Sequence, residues 1–150
     1  MPRKKKTWGE KLAEAKAKKD LPKKFHCDKS GMHMYVPSVG EIEQEIRRVR
    51  KGKVLTIKQI TQKLTERHGV DMASPMAIGI FAWIIAHAAD EQEKAGAKRV
   101  VPWWRLVKTG GELNPKYPGG VNAQRARLQA EGHRVIRKGK KHLVEAATGR

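Results

Sequence analysis

The sequence predicts a mostly α-helical, α+β protein with a helix-turn-helix, a small β-hairpin and a basic N-terminal extension. Apolar residues recur at helical spacing behind capping residues in successive segments, and Gly and Pro separate these segments. Two short apolar pairs near the C-terminus flank a basic turn, which indicates a hairpin. A length of 150 residues fits one domain with a short extension.

Residues 1–36 form the predicted extension, which is basic and partly helical or disordered. Thr7 and Glu10 have the spacing of a capping box, and the apolar ring of Trp8 offers a short helix a way to dock. We expect residues 22–36 to be irregular, because a proline ends the helical pattern there.

The predicted domain covers residues 37–150 and opens with a helix capped by Ser38. The buried face of this helix is an apolar stripe made of Val39, Ile42, Ile46 and Val49. We expect Gly52 to stop the helix. Cations cluster around the end of this helix. They either stabilise the negative end of the helix dipole or contact phosphates, and both explanations are open. The cations selected for phosphate contact are Arg47, Arg48, Lys51 and Lys53.

Two further helices form the predicted helix-turn-helix. Thr56 caps the first, and Gly69 ends it. Ser74 and the proline after it open the second, which is nearly all apolar and runs to about Ala89. A short turn between two such helices is compatible with a helix-turn-helix. Residues 91–99 are predicted as a polar linker.

The last part of the chain contains two adjacent tryptophans, a Gly- and Pro-rich loop, a helix and a hairpin. Trp103 and Trp104 precede the loop, and successive side chains of an extended segment point to opposite faces. One ring can therefore enter the core while the other faces outward. A helix is predicted over residues 121–131 and a hairpin with a basic tip over residues 135–144.

The net charge of +18 makes nucleic acid the first candidate partner, with an anionic membrane surface and simple solubility as alternatives. The most apolar window, residues 76–86, is shorter than the roughly 20 residues of a membrane span, so no membrane association is predicted. The single cysteine, Cys27, excludes an internal disulfide and fits a cytoplasmic, nucleoid-associated protein. No secretory signal is expected at the N-terminus.

Several motifs occur in an order and spacing typical of one family. They are residues 52–60, Pro102-Trp103-Trp104-Arg105-Leu106-Val107, Tyr117-Pro118-Gly119-Gly120 and Leu128-Gln129-Ala130-Glu131-Gly132. Together they resemble the DNA-binding domain of the alkylguanine-DNA alkyltransferases over about residues 38–144. The chain looks closer still to the alkyltransferase-like proteins, which lack the reactive cysteine.

The resemblance implies a winged helix-turn-helix that enters the minor groove and takes an alkylated guanine out of the base stack into a pocket. The pocket residues that it implies are Pro102, Trp103, Trp104, Arg105, Tyr117, Pro118 and Gly119. The DNA-binding residues, with the cations named above, are Ile57, Lys58, Ser74, Met76, Arg47, Arg48, Lys51 and Lys53.

In the enzymes of this family, a Pro-Cys-His-Arg motif supplies a thiolate nucleophile and the His that helps to activate it. Trp103 stands at the position of that Cys, and Trp104 at the position of that His. Indole offers neither a thiolate nor a basic nitrogen, so we predict no catalytic residue, no metal and no cofactor. Ile57 replaces a Tyr that helps to rotate the target nucleotide. Met76 replaces an Arg that fills the vacated stack, although it can still wedge between bases.

We therefore predict a monomeric, non-enzymatic protein that binds double-stranded DNA, recognises alkylated guanine and flags it for a repair-pathway protein. The alternative is a sequence-nonspecific architectural binder that reuses the same fold, which Ile57 and Met76 favour. A further alternative is a module that binds protein or RNA through the Trp8 segment. Cys27 is a plain thiol, a relocated nucleophile, or a metal ligand together with His26 and its neighbours.

Roles also stay open for individual residues near the pocket motif. The two tryptophans are either a pocket wall or core packing with one exposed edge. Arg105 either fixes the pocket loop or is a surface cation, and the loop at Tyr117 either closes over the pocket or is an ordinary turn. We expect Trp83 to pack in the core and His87 to be a core or helix-end histidine.

Overall fold

The computed structural model describes residues 6–145. Residues 1–5 of the basic extension and residues 146–150 of the predicted domain lie outside this part of the chain. The helices are α1 (Trp8–Lys16), α2 (Val39–Arg47), α3 (Ile57–His68), α4 (Pro75–Lys94) and α5 (Gly120–Ala130). The strands are β1 (Lys23–His26), β2 (His33–Val36), β3 (Leu55–Thr56), β4 (Met72–Ala73), β5 (Leu106–Val107), β6 (Val135–Lys138) and β7 (Lys141–Val144). The predicted α+β class is confirmed.

The N-terminal segment folds onto the rest of the chain. Thr7 caps α1, with its hydroxyl accepting from the Glu10 N–H, and Leu12 and Ala15 are buried in the main core. The expectation of an irregular segment over residues 22–36 is wrong, because β1 and β2 pair there as an antiparallel hairpin. β2 then pairs in parallel with β4, so a long-range partner stabilises strands that carry only a weak local signal.

Capping side chains start α2 and α3 where the sequence predicts. Ser38 accepts from the N–H of Glu41, and Thr56 forms a complete capping box with Gln59. Gly69 ends α3 in the left-handed region, at φ 61°. The prediction that Gly52 stops α2 is wrong, since α2 ends at Arg47 and Gly52 lies in the turn that follows.

Helix α4 begins after Ser74, as predicted, but runs beyond Ala89 to Lys94, into the first part of the expected linker at residues 91–99. Side chains of other elements hold this added length. Glu91 accepts backbone N–H groups from the start of α1, and Glu93 forms an ion pair with Arg127 on α5. The linker prediction is therefore wrong for residues 91–94, because tertiary contacts extend a locally polar helix.

Two short sheets organise the C-terminal half. β3 pairs in parallel with β5, with Leu55 opposite Leu106 and Thr56 opposite Val107. β6 and β7 form the predicted antiparallel hairpin, and its register pairs Lys138 with Lys141 across the basic tip. An isolated bridge between Glu112 and Leu143 joins this hairpin to the loop after β5.

The interior contains two clusters of buried apolar side chains. The larger cluster lies under α1, α2, α3 and α4 and includes Ile42, Ile60, Ile85 and Trp103. The smaller cluster, formed by Val107, Leu113, Leu128 and Val144, lies under α5 and the hairpin, and Trp104 packs against both clusters. None of the helices described over residues 6–145 is both long and apolar enough to cross a membrane.

Candidate nucleic-acid interface

The N-terminal end of α4 presents an exposed apolar face. Ser74 caps the helix by accepting from the Ala77 N–H (3.2 Å), and its carbonyl accepts from the Ile78 N–H. Because Pro75 has no N–H, the N–H of Met76 is the donor of the first turn that is left for an anion. Met76 is 76% exposed, Ile80 48% and Trp83 37%. These three residues follow the i, i+4, i+7 spacing of one helical face. Large apolar side chains grouped at the surface mark an interaction site more often than isolated ones do.

This face forms one wall of a groove of about 390 Å³, which we call the α4 groove. The opposite wall is the loop around Lys116. The residues that line the groove are Pro75, Met76, Gly79, Ile80, Trp83, Asn114 and Lys116. An apolar floor with a few polar groups at the rim, in a volume of this size, is typical of a site for a small organic group.

Hydrogen bonds hold the loop wall in place. The N–H of Asn114 donates to Oε1 of the buried Gln124 (2.8 Å), and the N–H of Lys116 donates to Oδ1 of Asn114 (2.9 Å). His87 on α4 donates from Nε2 to the carbonyl oxygen of Lys116 (2.8 Å), since a carbonyl can only accept. Gln124 also donates to the carbonyls of Trp104 and Leu106, so loop and tryptophan segment share one anchor.

A cluster of aromatic rings lies behind the loop, in the core. Trp103 is 1% exposed and meets Tyr117 edge to face, with ring centroids 6.0 Å apart. Burial raises the pKa of the Tyr117 hydroxyl well above its ordinary value. Trp104 is half-buried, and the Arg127 guanidinium lies 4.5 Å from its ring centroid.

A comparison with models of protein families identifies the family. A family model described as 6-O-methylguanine DNA methyltransferase, DNA binding domain, matches residues 39–133, which is more than half of the chain.

The chain belongs to this family.

A solved structure also resembles the fold: the crystal structure of S. pombe Atl1 in complex with damaged DNA containing O6-carboxymethylguanine. It is 16% identical, the alignment covers 71% of this chain and 87% of that chain, and the TM-score is 0.48. No curated protein matches the chain.

The residues that the family resemblance assigned to a pocket do not line the α4 groove. Trp103, Tyr117 and Pro118 are buried, so for Trp103 the structure favours core packing over a pocket wall. Gly119 adopts a left-handed conformation (φ 75°) at the start of α5, where a Cβ would lie 2.5 Å from the Cβ of Ala123. This segment forms a tight turn into α5, and the loop residues that reach the groove are those before Tyr117.

Arg105 of the family motif joins three elements. Its guanidinium donates to both oxygens of the Glu131 carboxylate at the end of α5, from Nε to Oε1 (3.0 Å) and Oε2 (3.2 Å) and from Nη2 to Oε2 (2.6 Å). Nη1 donates to the carbonyl oxygen of Val49 after α2 (2.8 Å). Arg105 is therefore not a free surface cation. It connects the ends of α2 and α5, and it does not contact the loop that forms the second wall of the groove.

The predicted DNA-binding residues lie at two ends of the molecule. β3 and β5 run in parallel, so residues that follow the two strands lie at one end of this sheet and residues that precede them lie at the other. Lys58 and Lys108 are at the first end, and Lys53 and Arg105 are at the second. Lys58 is exposed in the first turn of α3, and Ile57 beside it packs partly against the core. The structure thus groups Lys58 with the start of α3 and separates it from the cations after α2.

The cations around the end of α2 differ in how far they are engaged. Arg47 pairs with Glu43 (3.0 Å), and Arg48 pairs with the buried Glu45 (3.0 Å). Lys51 and Lys53 are exposed and make no ion pair within residues 6–145. The lysines of this set are therefore the ones whose charge is not offset by a neighbouring carboxylate.

Sequence reasoning missed most of the residues that line the groove. Ile80 and Trp83 share a face with Met76, but α4 is apolar on nearly all sides, so its sequence pattern does not mark which face is exposed. The expectation that Trp83 packs in the core is wrong for the same reason. Lys116 was passed over as part of a turn, although a cation between two turn signals is a visible feature.

The surroundings of Cys27 bear on its roles as a thiol or a metal ligand, and those of Trp8 bear on its role in binding a protein or an RNA. Cys27 lies in the turn of the β1–β2 hairpin, and hydrogen bonds from Ser30 lower the pKa of its thiol. No group of three or more His, Cys, Asp and Glu residues within residues 6–145 is arranged to hold a metal ion. The ring of Trp8 is partly buried and contacts Trp83 and His87 within the chain.

Proposed function

We propose that this protein is a non-enzymatic DNA-binding protein of the alkyltransferase-like type, which receives an alkylated guanine in the α4 groove. The observation that carries the proposal is the exposed apolar face of Met76, Ile80 and Trp83 at the first turns of α4, opposite Lys116. Membership of a family whose model is described as a DNA-binding domain supports the partner.

The charge and the helix ends support binding to the DNA backbone. The chain carries +18, which attracts any polyphosphate. Lys116 is exposed on the loop wall of the groove, and Lys58 is exposed in the first turn of α3. The first turn of α4 offers the backbone N–H of Met76 and the positive end of a helix dipole to a phosphate. The exposed side chain of Met76 is free to wedge between base pairs, as apolar side chains of other minor-groove binders do.

The groove has the chemistry to receive one base. Trp83 offers an aromatic surface, and stacking of a base on an aromatic ring is worth about 1–3 kcal/mol. The Asn114 side-chain amide at the rim supplies a donor for an oxygen or nitrogen atom of a base edge. An alkyl group on guanine would find the apolar side chain of Ile80.

The tryptophans of the family motif support recognition without alkyl transfer. Trp103 stands where the resemblance places the nucleophilic Cys, and its indole is fully buried between Tyr117 and Trp104. An indole supplies no thiolate to accept an alkyl group. We propose in addition that the bound lesion is flagged for a repair-pathway protein, and that this takes place on the nucleoid in the cytoplasm.

The test is binding to two duplexes that differ only in one O6-alkylated guanine, measured by fluorescence anisotropy at several salt concentrations. We expect tighter binding to the modified duplex, and affinity for both that falls steeply with salt. Equal affinity for the two duplexes would remove lesion recognition and leave DNA binding standing. A mass spectrum of the protein after incubation, unchanged from that of the free protein, is the expected sign that no alkyl group is transferred.

A groove-filling variant locates the recognition. Gly79 lines the groove, and a Cβ built there meets nothing within 4 Å, so we expect Gly79→Leu to occupy the groove and to favour the helix. This variant should lose the preference for the modified duplex and keep the salt dependence. Gly40→Leu on α2, where a Cβ also meets nothing within 4 Å, is the matched control. An unchanged preference in Gly79→Leu would show that the base binds elsewhere.

The second candidate is a sequence-nonspecific architectural binder, favoured by the 76% exposure of Met76. Such a protein would bend both duplexes equally through the wedge and leave the groove empty. Met76→Ala would then lower affinity and reduce DNA bending on modified and unmodified duplexes alike, while Gly79→Leu would have no effect. Loss of preference in Gly79→Leu would exclude this candidate.

A further inference from the structure

We infer that helix α1 is part of the groove site and that Trp8 is a positioning residue that sets the spacing of the two groove walls. The inference rests on the proposed function for the identity of the ligand, a nucleobase. The coupling between α1 and the walls stands on contacts that can be measured without any ligand.

Trp8 touches the helical wall directly. Its ring meets that of Trp83 edge to face, with centroids 4.8 Å apart and planes at 85°. Trp83 is a lining residue of the groove, and at 37% exposure its ring has room to change rotamer. Contact with Trp8 therefore restricts the orientation in which Trp83 faces a ligand.

Trp8 reaches the loop wall through one intermediate ring. His87 stacks on Trp8, with centroids 4.2 Å apart and planes at 18°. The same imidazole donates from Nε2 to the carbonyl oxygen of Lys116 (2.8 Å). The stacking holds the plane of the imidazole, and the imidazole holds the backbone of the loop. One side chain of α1 is thus connected to both walls, to Trp83 by contact and to Lys116 through His87.

Helix α1 is anchored independently of the Trp8 ring. The Glu91 carboxylate on α4 accepts the backbone N–H of Trp8 (3.0 Å) and of Gly9 (3.1 Å), which places a carboxylate at the N-terminus of α1. Leu12 and Ala15 are buried in the main core. A change of the side chain at position 8 therefore leaves α1 docked, so that its effect on the groove can be separated from loss of the helix.

The first experiment measures the coupling by NMR in the full chain without DNA. In Trp8→Ala, the indole N–H of Trp83 and the amide of Lys116 should shift, while the amides of α2 stay in place. Trp8→Phe, which keeps a ring on His87, should shift them less. Glu14→Gln, an exposed change on the same helix, is the control. Unshifted Trp83 and Lys116 resonances in Trp8→Ala would overturn the inference, and so would shifts spread equally through α2.

The second experiment measures the consequence for binding. Trp8→Ala should reduce the affinity ratio between the modified and unmodified duplexes by about threefold to tenfold, the range typical of residues that act through others. The salt dependence should not change, because the indole of Trp8 carries no charge to neutralise a phosphate. Trp8→Phe should restore part of the ratio. A full wild-type ratio in Trp8→Ala would overturn the inference.

The two proposals can fail separately. If the wild-type protein shows no preference for the modified duplex, the proposed ligand is wrong, and the resonances of Trp83 and Lys116 alone decide whether α1 positions the walls. If the wild-type protein shows the preference and Gly79→Leu abolishes it, but Trp8→Ala retains it, the groove is the site and α1 is only a structural support.

Discussion

Arg105 and Glu131 form a two-point ion pair that connects the family motif to the end of α5. Nη2 of Arg105 lies 2.6 Å from Oε2 of Glu131, and the two side chains are only 15% and 9% exposed. Burial would raise the pKa of the Glu131 carboxyl, but the hydrogen bonds and charge of Arg105 outweigh it, so the pKa is lowered. A charged pair in this environment is favourable only while both partners are present.

Arg105→Lys should therefore destabilise the protein, because a lysine cannot make the planar two-point contact. We expect a loss of about 2–3 kcal/mol in the free energy of unfolding, measured by urea denaturation. Arg134→Lys is the control, since the pair of Arg134 with Glu145 is exposed on both sides and should contribute less than about 1 kcal/mol. Equal stability of Arg105→Lys and the native chain would mean that the pair is not maintained in solution.

Trp103→Ala should act on stability and not on lesion preference. The side chain is 1% exposed in the main core, and truncating a buried Trp leaves a cavity that destabilises by about 3–5 kcal/mol. Thermal unfolding should show a large drop in Tm, whereas Ile80→Ala, at an exposed position in the groove, should change Tm little. If Trp103→Ala keeps its Tm and loses only the preference for the modified duplex, Trp103 is part of the wall of the lesion pocket.

Acid should weaken the α2–α3 interface through Glu41. Burial would raise the pKa of this carboxyl, but hydrogen bonds from Tyr35, His68 and Arg67 outweigh it and lower the pKa. A lowered pKa in the folded state gives stability that is present above the unfolded value of about 4.3 and is lost as the pH falls through the folded value.

The free energy of unfolding should therefore fall as the pH drops below about 4.3. Glu41→Gln should be less stable than the native chain at neutral pH and show a shallower fall with acid. Glu66→Gln, an exposed carboxyl on α3, is the comparison. If the free energy of unfolding falls with pH equally in Glu41→Gln and the native chain, other carboxyls, such as Glu43 and Glu131, are responsible for the acid sensitivity.

Lys116 should contribute one phosphate contact to DNA binding. Lys116→Gln should weaken binding to modified and unmodified duplexes alike and reduce the slope of log Kd against log salt by about 0.9. Lys94→Gln is the control, because Lys94 ends the 20-residue helix α4 and thus lies about 30 Å from its N-terminal end. If log Kd has the same slope against log salt in Lys116→Gln and the native chain, Lys116 does not contact a DNA phosphate.

Local signals in the sequence predicted the starts of helices well. Ser38, Thr56 and Ser74 cap the helices that they were expected to cap, since a cap needs only the few residues around it. The hairpin at residues 135–144 was predicted for the same reason. Helix ends were less predictable: α2 stops before Gly52, and α4 passes Ala89 because Glu91 and Glu93 bind partners that are far away in the sequence.

The candidate site could be predicted only in part. Met76 was singled out, but Ile80, Trp83 and Lys116 were not, because exposure on an all-apolar helix depends on what covers each face. Trp103 and Tyr117 were assigned to a pocket through the family resemblance, and packing places both rings in the core.

The sequence by itself determined the family, the helices with their caps, the cationic character, and the two adjacent indoles of Trp103 and Trp104. These properties depend on residue type and short spacing. Only the tertiary structure decided that Trp8 docks on α4 and that the face of α4 with Met76 and Ile80 stays exposed. It also decided that the loop at Lys116 lies opposite this face. Those outcomes depend on contacts between residues about 80 and 30 positions apart, such as Glu91 with Trp8 and His87 with Lys116, which no local pattern encodes.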